Sequence, residues 1–263
     1  MQNNNFKNLI PIIFDRKKII PKNIKKKHIY ENISIEIGER LKETNFNYKD
    51  TLEINSKINE TEYIIKNSGK IKNLYKTSLT KNNYLKNIDV ICDEELIPFK
   101  NNSFNLIFSI LGLNIVNDLP GVLKQIYNSL KHNGLFIAAF WGQGTIAPLS
   151  ESLAYADEKI LGGLYSRTYP FCDIKTLGNL MQRAGFNDSL ADLEKIIFKY
   201  KNIKDLLIDI RELGEKNILT SRKKTFTPKS IFKEAENFLI KKYSNNSNFS
   251  MPFNIIFVSG WKK

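Results

Sequence analysis

The chain predicts an α/β protein with a doubly wound, mostly parallel sheet of seven strands and a helical lid. Three observations lead there. Short apolar runs alternate, from residue 29 to the C-terminus, with segments whose apolar residues recur at helical spacing, and such alternation builds parallel sheets. The run "SFNLIFSILGL" (103–113) is apolar along most of its length, which suits a strand covered on both faces. Of the 263 residues, 42% are hydrophobic, enough to bury a full core in one large domain.

The elements follow in order. Tyr30, Ile33, Ile37 and Leu41 share one face of a helix over 29–44. Strand candidates are 51–55, "GKIKNLYKTS" (69–78), "NIDVICD" (87–93) and 103–113. Val122, Leu123, Ile126, Tyr127 and Leu130 mark a helix ending at "KHNG", with Gly134 as the residue past its end. "LFIAAFWG" (135–142) is the next strand. Asp173 caps a helix carrying Leu177, Leu180, Met181 and Ala184, with Gly185 beyond it. A strand over 194–200 precedes a helix carrying Ile203, Leu206, Leu207, Ile210 and Leu213. Thr227 and Pro228 open the last helix as N-cap and first residue. "SNNSNFS" (244–250) reads as a loop, and "FNIIFVSGW" (253–261) closes the chain as a strand.

The formal charge is +13, yet its distribution argues against a nucleic-acid partner. Only six of the 40 basic residues are arginine, the lysines are spread along the chain, and a base-reading surface concentrates its charge. The dense cluster "RKKIIPKNIKKKH" (16–28) belongs to a basic N-terminal arm over 1–28, expected to be solvated and mobile. It offers at most a peripheral membrane contact. No apolar run approaches the roughly 20 residues of a membrane span, and the first residues lack the marks of a secretory or transit peptide. A cytoplasmic location is the default expectation. Cys92 and Cys172 are the only cysteines and suit reduced thiols. With only His28 and His132, neither a histidine metal site nor a Ser-His-Asp arrangement is expected, and no catalytic residue is assigned.

From "CDEELIPFKNNSFNLIFSILGLNIVNDL" through "LKHNGLFIAAFWG" the chain resembles class I S-adenosylmethionine (SAM)-dependent methyltransferases. "IFDR" (13–16), "GGLYSRTYPFCDIKTLGNLMQRAGF" (162–186), "DIRELGEKN" (209–217) and "FNIIFVSGWKK" sharpen the likeness. They resemble the branch that holds BioC-like methyltransferases (methyltransferase type 11) and, closest, the mitochondrial complex I assembly factors. The resemblance implies one domain over 29–263. Its core spans about 46–142, 172–200 and 251–263, and its lid about 143–171 and 201–250.

The resemblance also assigns positions. In the family a glycine-rich turn follows the first strand, where backbone must approach the cofactor; here those glycines are replaced by Asn55, Lys57 and Asn59. Glu53 keeps the acid of the first motif, and Asp93, followed by Glu94, falls beside the adenine. Lys76 falls where an acid would grip the ribose, and Asn114 stands where a family histidine occurs. Glu53, Asn55, Lys57, Asp93, Glu94 and Asn114 are thus the cofactor positions, and SAM is the implied cofactor, with weakened or lost binding. On the acceptor side Arg167, Asp209, Arg211, Asn217 and Arg222 match the assembly-factor branch. Their arginines either meet carboxylates of a substrate or partner, or form an internal ion pair, for instance with Asp209. Pro148 and Ser150 stand where relatives carry a Glu and an Arg. The implied partner is a respiratory complex I subunit. The competing expectation is an active methyltransferase of a small molecule, acyl carrier or protein.

Overall fold

The computed structural model describes residues 11–19, 23–245 and 248–263. Residues 1–10 and 20–22 of the basic arm and 246–247 of the expected loop lie outside the described residues.

Seven strands form the main path of one sheet: β1 (Tyr48–Glu53), β2 (Ile71–Ser78), β3 (Val90–Ile91), β4 (Phe104–Ile110), β5 (Leu130–Trp141), β6 (Asn187–Tyr200) and β8 (Asn248–Lys262). Their spatial order is β3-β2-β1-β4-β5-β8-β6. The first five run parallel to their neighbours, while β8 lies antiparallel between β5 and β6. The short β7 (Ser244–Asn245) pairs with the start of β8, so the ends of the predicted loop are strand. The mostly parallel, doubly wound sheet is as predicted.

Alternation along β4 explains why helices cover both faces. Successive strand residues point to opposite sides, and Leu106, Phe108 and Ile110 enter one core while Ile107 enters the other. The first core is closed by α1 (His28–Glu43) and α2 (Glu60–Lys66), and by α4 (Ala147–Leu161), α6 (Ile203–Glu212) and α7 (Lys229–Tyr243). The second is closed by α3 (Leu119–Ser129) and α5 (Ile174–Ala184). The α1 face is the predicted one, with Tyr30, Ile33, Ile37 and Leu41 buried. Asp173 caps α5 by accepting from Thr176 N at 2.8 Å, and Gly185 takes φ 109° past its end.

Local expectations fail where a neighbouring element takes over. Helix α3 stops at Ser129, and "KHNG" joins β5, because Gly134 pairs with Lys262 of β8; Asn133, not Gly134, has the positive φ. Pro228 occupies the N-cap of α7, one residue later than predicted, and the Thr227 hydroxyl accepts instead from Arg167. The arm is not wholly solvated: Lys17, Lys18, Asn23 and Lys25 are exposed, but other described residues of it are packed against the domain. Phe14 bridges to Leu219 and is buried, and the Arg16 side chain is only 9% exposed. Ile24 is buried in the first core. Cys92 and Cys172 are free thiols.

All parallel strands end on one side, and the turns after β1 and β4 approach each other closely. A Cβ on Gly112 would lie 2.9 Å from Ile54 O and 3.0 Å from Asn55 O, so only glycine lets these turns meet. Phe136 lies fully buried in the second core, stacked on Phe186. Phe136→Ala is expected to lower the unfolding free energy by about 3–5 kcal/mol, read as a shifted urea midpoint at unchanged slope.

Candidate functional site

The turn after β1 carries Asn55, Lys57 and Asn59. Of the three replaced positions only Asn55 has a left-handed backbone, φ 53°, which Asn tolerates better than most residues. Its Nδ2 donates to Gly112 O at 2.9 Å and its backbone N to the Thr77 hydroxyl at 3.0 Å. Asn59 stands before α2 with ordinary φ and holds the 84–86 loop through Tyr84 O and Lys86 N. Lys57 is therefore a change of bulk and charge, not of backbone. Burial pulls its amine below the usual lysine range, Glu94 and Glu215 oppose this, and Arg16 adds to it.

Two buried charge groups stand at these strand ends. Glu53 faces Lys76 across the β1–β2 register. Lys76 does not end its strand, as a ribose-binding position would; it is buried within β2 and reaches Glu62 of α2 at 3.1 Å. Ser78 ends β2 instead, and its hydroxyl donates to Thr80 O at 2.9 Å. Burial pushes the Glu53 carboxyl up to about 7, against the opposing pull of Lys76, and Glu53 Oε2 has no hydrogen-bond partner. In the second group Arg16 inserts among Asp93, Glu94 and Glu95, pairing with the first two and standing 3.2 Å from Glu95. Glu94 is 1% exposed, and burial raises its carboxyl although Arg16 and Lys57 oppose this. Burial lowers the Arg16 guanidinium, but Glu94 and Asp93 more than offset it.

The segment bearing Arg16 is pinned at several points. Asn117 Oδ1 accepts from Ile13 N and Phe14 N, both at 2.8 Å, and Asp15 N donates to Ile218 O at 2.8 Å. What remains between Lys57, Asn114 and Glu215 is a crevice of about 80 Å³. Sites for drug-sized ligands measure roughly 300–1,000 Å³, several times this volume. Asn114 also ties the strand ends, accepting from Trp141 N at 2.8 Å and donating to Leu111 O at 3.0 Å.

The neighbouring cavity, beyond Tyr169 and Glu215, encloses about 440 Å³. Leu149 and Leu153 of α4, Leu207 and Ile210 of α6, Phe232 of α7 and Phe253 of β8 supply its apolar walls. Among the predicted acceptor-side residues Arg167, Arg211 and Asn217 line it; Asp209 and Arg222 do not. Arg167 forms the internal ion pair, but with the fully buried Asp157, through Nε at 2.5 Å and Nη2 at 2.6 Å. Asp209 instead accepts from Tyr200 OH at 3.1 Å and faces Lys26 at 3.4 Å. Arg222 donates to Leu219 O at 2.9 Å. Ser150 shares a 2.7 Å hydrogen bond with Thr168, and Pro148 is buried in the first turn of α4. Among the described residues no group of three or more His, Cys, Asp and Glu side chains could hold a metal ion. No helix of the described residues is long and apolar enough to cross a membrane.

Arg16, Glu95, Glu215, Trp141 and Tyr169 were not singled out from sequence. Arg16 and Glu215 stand inside the quoted "IFDR" and "DIRELGEKN" segments, which was the available signal. Trp141 Nε1 donates to Glu215 Oε1 at 2.8 Å, joining the end of β5 to the segment after α6.

A family model described as a methyltransferase domain matches residues 62–138. The protein named arginine-hydroxylase NDUFAF5, mitochondrial, of Danio rerio is 35% identical over 175 residues, covering 66% of this chain and 54% of that protein. The chain thus spans about half the length of that curated relative and its human counterpart. RP459 of Rickettsia prowazekii, whose name assigns it to the methyltransferases, is 30% identical, covering 72% of this chain and 85% of that protein. In fold the chain is similar to YcgJ of Bacillus subtilis, with TM-score 0.58 at 13% identity over 88% of this chain and 99% of that one.

Arg16→Ala leaves Glu94 buried without its main partner. It is expected to cost about 3–5 kcal/mol at neutral pH, with less loss as the pH is lowered, because burial makes this carboxyl take up a proton more readily than an ordinary one, and with partial recovery on adding Glu94→Gln; urea unfolding at neutral and mildly acidic pH checks this. Glu53 gives a slope of the same sign. Its folded value near 7 exceeds its ordinary 4.5, so the folded state binds the extra proton between those values and stability falls as pH rises through that window. Glu53→Gln is expected to flatten this fall, seen as urea midpoints that diverge from wild type between pH 4.5 and 7.

Proposed function

The chain belongs to the class I SAM-dependent methyltransferase superfamily, and from that premise we propose that it serves respiratory complex I assembly by binding or acting on a subunit, with its SAM site weakened or lost. The acceptor side is the 440 Å³ cavity, covered by a lid of segments 143–171 and 201–250. One observation carries this reading: that cavity stays open while the crevice at the β1 turn shrinks to about 80 Å³. Lys57 stands where a cationic sulfonium would approach, and Arg16 already holds the acids that follow β3. Both oppose a positively charged cofactor on elementary electrostatic grounds. The link to a complex I subunit rests on the assembly-factor resemblance in the lid segments and on the likeness to the zebrafish arginine hydroxylase.

A second reading, an active SAM-dependent methyltransferase of a small molecule, acyl carrier or protein, has its own support. Asn55 keeps the left-handed turn, and Glu53 keeps a buried oxygen without a hydrogen-bond partner at the first motif. Calorimetric titration separates the two. Wild type is expected to give no saturable heat with SAM, and the triple variant Asn55→Gly, Lys57→Gly, Asn59→Gly to gain it. Micromolar SAM binding by wild type overturns the loss of the cofactor site. Capture from a mild mitochondrial extract is expected to enrich complex I subunits, and recovery of none counts against the partner.

A further inference from the structure

The polar groups around the 440 Å³ cavity are not equally available. Arg167 is committed to Asp157 and Thr227. Asn217 donates to Ser166 O and Arg167 O and accepts from Leu219 N. Thr145 donates to Asn254 O and accepts from its N–H, and Thr168 meets Ser150. Tyr169 OH accepts from Lys216 N at 3.3 Å, and Glu215 accepts from Trp141. Two side chains remain, the guanidinium of Arg211 and the amine of Lys216. Both are exposed, both line the cavity, and no described residue accepts from either. They lie on one short stretch, at the end of α6 and just past Gly214.

The cavity therefore joins an aliphatic and aromatic interior to an uncommitted cationic rim. We propose that it binds an anionic amphiphile, a molecule with an unbranched apolar chain and a carboxylate, sulfate or phosphate head, the chain lying between α4, α6 and α7 and the head meeting Arg211 and Lys216. Burial of the chain supplies most of the free energy, and the guanidinium fork selects the charge of the head. A cationic or neutral head of the same length loses that contact. The volume falls within the range of sites for ligands of this size. The proposal rests on the reading of this cavity as the acceptor side, but its test uses neither SAM nor a complex I subunit. Its failure leaves those measurements standing, and theirs leave it standing.

The test is calorimetric titration of the full chain with decanoate and with decyltrimethylammonium, each below its micellar concentration. Decanoate is expected to bind one to one and more tightly than the cation, with affinity falling as salt is raised. The double variant Arg211→Ala, Lys216→Ala is expected to weaken decanoate about tenfold while leaving the melting temperature unchanged and leaving the cation bound no more weakly than by wild type. Equal affinity for anion and cation, an unchanged decanoate affinity in the variant, or no saturable decanoate binding would each overturn the proposal.

Discussion

A buried charge must find an opposite charge or give up its own, and this constraint organises the strand-end half of the molecule. Glu53 and Glu94 are each 1% exposed, and Lys76 is 2% exposed. The fold meets the requirement with two cations brought from distant parts of the chain. Lys76 answers Glu53 and Glu62 from the adjacent strand, and Arg16 answers Glu94 from 78 residues away. The second answer is possible only because the N-terminal segment is held across the strand ends by Asn117 and Ile218. The arm is thus part of the site.

These pairings and the cavity beyond them follow from one architectural fact. Parallel strands end on the same side, so the turns after β1 to β4 converge, and ligands of such sheets bind there. At the β1 and β3 ends the convergence is filled by Lys57 and Arg16. At the β5 end it stays open, as the cavity lined by Trp141, Tyr169 and apolar side chains of α4, α6 and α7. The Trp141–Glu215 hydrogen bond joins the end of β5 to the segment that follows α6. The two ends of one cleft thus carry different chemistry, charge-filled at the first and apolar with a cationic rim at the second.

Much of the fold was legible because its signals are local. The α1 face, the Asp173 cap and the fully buried β4 each depend on a few consecutive residues and their period. Misreadings came where a distant element competes. Gly134 resembles a helix terminator until β8 pairs with it, and Thr227 resembles an N-cap until Arg167 takes its hydroxyl. Asn55, Lys57, Glu94 and Asn114 lie at the strand ends, while Lys76, expected where an acid would grip a ribose, lies two residues before the end of β2. Of the acceptor-side arginines, Arg167 turned inward to Asp157, a residue with no distinguishing neighbours in sequence.

Periodicity and composition by themselves determined the alternating α/β plan, the mostly parallel sheet and the burial of β4, because hydrophobic pattern dictates which faces must leave water. Order along the chain also placed Asn55, Lys57 and Asn59 just after β1. Only the tertiary structure decided what surrounds them. Whether Lys57 lies in water or in a crevice, whether Arg16 is a solvated arm residue or the partner of Glu94, and which cations around the cavity stay uncommitted all depend on distances between segments far apart in sequence. Pairing of charges is a property of three-dimensional neighbours, and burial multiplies its energetic weight.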